Sequence, residues 1–178
     1  MKILEKTMHS SSSITNSIIL DDYIPLKIIL SIDDPKTNMY YRLGNGETSL
    51  LEICFNGENG EFNNIVFVLL GECKIIDKRL VLDEIKINKS LPAVDVSSFV
   101  GNKETETIVD EFFPETRIKL FNNAIVATNK NHDNDIVSYH RHGDVFFAIN
   151  NEKVITHIII FVDKRSRKHL LRFCRMVT

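Results

Sequence analysis

Apolar residues along this chain fall in short runs, some alternating with polar positions and some continuous, and nearly every run is cut off by Asn, Gly or Asp. This is the spacing of strands, whose side chains alternate between two faces, rather than the three-to-four-residue recurrence of an amphipathic helix. "PLKIILSI" (25–32) stops at Asp33-Asp34-Pro35-Lys36, and "MYYRL" (39–43) stops at Gly44-Asn45-Gly46. "SLLEICF" (49–55) stops at "NGENGE", after which "NNIVFVLL" (63–70) follows. The Gly and Asn residues supply the positive φ that tight turns between antiparallel strands require.

Further along, "RLVLDEIKI" (79–87) alternates well enough to be read as a strand, and "TRIKLF" and "AIVAT" flank Asn122-Asn123 as a hairpin. "IVSYHR", "DVFFAI" and "KVITHIIIFV" are three more strands, the last two joined near Asn150-Asn151-Glu152, for about ten in all. Residues 91–114 break the pattern with Pro92, Ser97-Ser98 and an acidic run, and read as a loop with room for one short helix. The tail "DKRSRKHLLRFCRMV" fits one helical face (Leu170, Leu171, Cys174, Val177) and also one strand face; its good helix formers, and Asp163 as a cap, favour the helix. The pattern predicts a mainly antiparallel β protein, a sandwich or half-barrel with one or two helices. An α+β sheet with a helix on one face is the alternative.

Length and composition sharpen this in three ways. The chain has 178 residues, 43% of them hydrophobic and 26% charged, which suits one globular domain over residues 1–178. The longest uninterrupted apolar run, residues 65–70, is far short of a membrane span, and the N-terminal apolar stretch meets Asp21 and Asp22 too early for a secretory signal. A cytoplasmic location is expected. Cys54, Cys73 and Cys174 are odd in number, widely separated and form no C-x-x-C pair, so reduced thiols are expected rather than a disulfide framework or zinc site.

Net charge is −2, but unevenly spread. Residues 163–178 hold six Lys or Arg against Asp163, while the rest of the chain holds 16 basic and 23 acidic residues. The basic tail (Lys164, Arg165, Arg167, Lys168, Arg172, Arg175) could touch phosphates, which defines a nucleic-acid-binding alternative. No recognisable nucleic-acid-binding motif accompanies it.

Candidate chemistry centres on "YHRHGD" (139–144). On a strand, His140, His142 and Asp144 share one side, and a two-residue turn after residue 150 would set His157 opposite Phe146 and on that same face. Two or three imidazoles and a carboxylate would suit a cupin-like metal site. Against it, Gly143-Asp144 can itself be a tight turn, the face is otherwise apolar, and the glutamate that follows a cupin's H-x-H is replaced by Val145, Phe146 and Phe147. "NKNHDND" lacks the glycine and distal glutamate of a calcium loop, and no G-x-S-x-G elbow or P-loop is present. Neither an enzyme nor a cofactor is expected.

The acidic run "ETETIVDEFFPE" (104–115) carries Glu104, Glu106, Asp110, Glu111 and Glu115 with no basic residue, and holds Phe112 and Phe113 among them. Its plain reading is a solvated surface. Apolar anchors framed by one sign of charge also suit a tight interface with a basic partner.

The stretch "SLLEICFNGENGEFNNIVFVLL" (49–70) resembles a pattern of small bacterial immunity proteins from contact-dependent growth inhibition and other polymorphic-toxin systems. Leu50, Leu51, Glu52, Ile53 and Phe55 match its first strand, Gly60 and Glu61 its turn, and residues 65–69 its second strand. The resemblance covers about one eighth of the chain. It implies a protein that neutralises one cognate toxin domain by covering its active site, the toxin being commonly a nuclease and in one variety ribonuclease A-like. On that expectation Glu104, Glu106, Asp110, Glu111 and Glu115 make electrostatic contacts, and Phe112 and Phe113 anchor the complex.

Overall fold

The apolar runs become the strands of two large sheets and one small two-stranded sheet. The computed structural model describes residues 3–4, 17–31, 37–97, 107–111, 116–129 and 136–174, with backbone alone at 3–4, 107–111 and 129. Its strands are β1 (Ile3–Leu4), β2 (Ser17–Ile19), β3 (Leu26–Ile29), β4 (Asn38–Gly44), β5 (Ser49–Asn56), β6 (Phe62–Leu70), β7 (Lys74–Ile75), β8 (Lys86–Asn88), β9 (Ala93–Val94), β10 (Thr107–Glu111), β11 (Thr116–Leu120), β12 (Ala124–Asn129), β13 (Ile136–His142), β14 (Val145–Asn150) and β15 (Ile155–Phe161). One helix, α1 (Lys164–Leu170), follows.

The first sheet has the order β10-β4-β5-β6-β3-β2 and the second β7-β11-β12-β15-β14-β13-β8. Pairing is antiparallel except where β10 joins β4, β7 joins β11 and β8 joins β13. Alternation places Leu51, Ile53 and Phe55 of β5 on the inner face of the first sheet, where they meet Ile125, Phe147 and Ile158 of the second in one core. Phe62 and Phe147 bridge the sheets, ring centroids 4.8 Å apart. The fold is a mainly antiparallel β-sandwich with one helix among the described residues, as the hydrophobic pattern predicts.

The β5–β6 hairpin shows why that stretch is built as it is. Gly60 has φ +75°, and a Cβ there would overlap the Val94 carbonyl. Only glycine allows the turn and the close approach of β9, whose Val94 N–H donates to the Gly60 carbonyl at 2.8 Å.

Three expectations need correction. Residues 79–87 are not one strand: only their end enters β8, and Ile76, Leu80, Leu82 and Ile85 instead form a strap over the outer face of the second sheet, packed on Tyr139, Phe146 and Ile159. Asn123 holds the strap by accepting the Leu80 N–H at 2.7 Å and donating to the Leu80 carbonyl at 3.1 Å. The described part of residues 91–114 contains no helix but two strands, β9 and β10. The strand count is also higher than ten, because several short strands pair only at sheet edges.

The first half of the tail forms the expected helix, which ends at Leu170; Leu171 and Cys174 lie in the turns beyond it, and Arg175 and Val177 lie outside the described residues. The Asp163 carboxylate accepts the Ser166 N–H at 2.7 Å, and this bond holds its carboxyl below the usual range. Two basic side chains dock the helix: Arg167 donates to the Phe121 carbonyl at 3.1 Å, and Arg172 pairs with Asp22 at 3.1 Å.

Candidate functional site: an acidic strand at a sheet edge

The first sheet ends in β10, which lies within the acidic run. Register sets Asp110 beside Arg42 and Glu111 beside Leu43 of β4. Arg42 in turn donates from Nε to Glu52 on β5 at 2.9 Å, in a partly exposed pair. The same transverse row continues through Val66 of β6 to Lys27 of β3. Across the sheet the row therefore runs Lys27, Val66, Glu52, Arg42, Asp110, with basic and acidic positions alternating. Arg42 and Glu52 stand in this row as an opposite-charge cross-strand pair, which favours the pairing of β4 with β5.

β10 pairs with β4 and, among the described residues, with no strand on its other side. A strand at such a position presents backbone N–H and C=O groups to whatever lies beside it. Of the residues expected to contact a partner, Asp110 and Glu111 lie in this strand; Glu104, Glu106, Phe112, Phe113 and Glu115 lie outside the described residues.

The three histidines do not converge. Gly143-Asp144 is the β13–β14 turn, so Asp144 is separated from the strand face that carries His140 and His142. Those two share a face with Phe147 and Val145, toward the core. His157 stands beside Ala148 rather than Phe146, on the opposite face of the sheet. The two-residue turn assumed for β14–β15 is longer in the structure, with Lys153 at φ 59° and a bulge at Ala148/Ile149 that shift the register.

Each histidine has its own structural partner. His140 lies 3.3 Å from the Asn88 amide and 3.0 Å from the Ser90 hydroxyl. His157 Nδ1 lies 2.9 Å from the Thr156 hydroxyl. His142 is buried and donates from Nε2 to the Leu30 carbonyl at 3.1 Å, joining the two sheets; burial pushes its pKa down despite that bond. Among the described residues no group of three or more His, Cys, Asp or Glu is placed to hold a metal ion. Between the sheets, beside Thr116, Thr128 and Ile155, is a cavity of about 30 Å³, room for a water or two.

The basic tail is partly used up by docking α1, while Lys164, Arg165 and Lys168 remain exposed or nearly so along the helix. Among the described residues, no helix is long and apolar enough to cross a membrane.

No known family profile matches this chain, and no curated protein is significantly similar to it. The motif that resembles immunity proteins is itself accounted for by folding. Leu51, Ile53 and Phe55 fill the core, Glu52 pairs with Arg42, and Gly60 makes the turn. The functional reading therefore rests on the sheet edge and its charges.

Proposed function

We propose that this protein is an immunity protein, which binds the toxic domain of a cognate partner, a basic nuclease, and covers its active site. The observation that carries the proposal is that part of the acidic run, Thr107–Glu111, forms β10 at the edge of a sheet among the described residues. A strand edge can pair its backbone with a partner, and the acids along it attract a cleft built to hold phosphates. Asp110 and Glu111 provide that attraction on the strand itself. Glu104, Glu106 and Glu115 extend it, and Phe112 and Phe113 supply the dry centre that slows dissociation.

The test is co-purification of the full chain with the C-terminal domain of the protein encoded immediately upstream, together with growth of cells producing that domain. A one-to-one complex that silences a toxic activity is expected. A folded, toxic neighbour that does not bind would overturn the proposal.

A further inference from the structure

Large apolar side chains are exposed in two places among the described residues. Ile19, Tyr23 and Ile24 lie together at the end of β2 and in the turn that leads to β3, and Tyr23 is 90% exposed. Val81, Ile87 and Val137 belong to the second sheet and its strap.

The turn that presents Tyr23 is fixed from two sides. Within it, the Asp21 carboxylate accepts the N–H of Tyr23 at 2.7 Å and that of Ile24 at 3.3 Å. From the terminal helix, His169 donates from Nε2 to the Asp21 carbonyl at 3.0 Å, and Arg172 offsets the charge of Asp22 at 3.1 Å. The turn therefore rests against the basic tail, almost 150 residues further along the chain. Helical spacing sets Arg165 one turn before His169 and Lys168 about one turn before Arg172, so both cations flank the side of α1 that meets the turn. Arg165 and Lys168 are exposed, and Lys27 stands beside Ile19 in the β2–β3 ladder.

An exposed aromatic ring and two aliphatic side chains framed by cations suit the boundary between acyl chains and anionic headgroups. There the apolar groups leave water, the tyrosine hydroxyl stays at headgroup level, and Lys and Arg are drawn to lipid phosphates. A nucleic-acid strand would engage the ring and the cations, but it would offer the isoleucines little to bury against. We infer that this face is a membrane-docking surface. It seats the protein on an anionic bilayer through Ile19, Tyr23 and Ile24, with Lys27, Arg165 and Lys168 against lipid phosphates. The attachment is peripheral, and it does not depend on the binding of a toxic domain.

The test floats full-length protein with vesicles of phosphatidylcholine alone and of phosphatidylcholine mixed equally with phosphatidylglycerol, at low and high salt. Binding to the mixed vesicles only, weakened by salt, is expected. R165E/K168E should lower that binding roughly 30-fold or more, and Y23S should lower it several-fold at unchanged charge. Circular dichroism checks that each variant is folded; if R165E/K168E is not, Y23S and the lipid and salt comparisons decide. Equal binding to both kinds of vesicle, binding to neither, undiminished binding of the folded variants, or binding to a single-stranded oligonucleotide in place of vesicles would overturn the inference.

Discussion

At His142 burial and a backbone hydrogen bond act in opposite directions, and burial wins, so its pKa in the fold lies below the ordinary histidine value. A folded pKa below the unfolded one means that the unfolded chain takes up the proton first as pH falls. The stability contributed by His142 is thus present above about pH 6.5, the ordinary histidine value, and is lost as pH falls below it toward the depressed folded value. Urea midpoints at pH 8 and pH 5.5 should fall further apart for wild type than for H142Q; equal differences would show that His142 is not the group responsible. Gly60 makes a second residue-scale prediction. G60A should lose about 1–3 kcal/mol from forcing a positive φ, before the cost of displacing Val94. The glycine's role in a turn was legible, because Gly between two apolar runs signals one. The partner of His142 was not, because Leu30 lies more than a hundred residues away in sequence, just past the end of β3 of the other sheet.

At the scale of elements, long apolar runs translated directly. β14 is buried at every position because it has a core on one face and the strap on the other, so its run is continuous instead of alternating. The strap was misread for the same physical reason. Leu80 and Leu82 alternate as a strand's residues would, but with Ile85 they pack on a sheet face, and the Leu80 backbone is held by Asn123 rather than by a ladder. N123A should therefore speed amide hydrogen exchange across residues 76–85 while leaving β12 and β15 protected; unchanged exchange would mean the strap is held by packing alone. The helix was readable from its cap. D163A should lower the melting midpoint and loosen residues 164–170 first, as seen by hydrogen exchange. β10 was hidden because its acids look like solvated loop, and only its pairing with β4 shows a strand.

At the scale of the molecule, two sheets share one core, and their contact should govern stability. F62A removes the ring that meets Phe147 and should cost about 3–5 kcal/mol in chemical unfolding, whereas a loss under about 1 kcal/mol would mean the sheets are held elsewhere. The arrangement of strands was not legible, because edge pairings such as β10 with β4 join segments far apart in the chain. The acids of the candidate site stood out by composition, but the place of Asp110 and Glu111 on a sheet edge depends on that long-range pairing. The most direct test of the account is the affinity of wild type and D110K/E111K for the neighbouring protein's C-terminal domain at low and high salt. The account predicts that charge reversal weakens binding by roughly 30-fold or more at low salt and flattens the salt dependence. Equal affinities and equal salt slopes for the two proteins would contradict it.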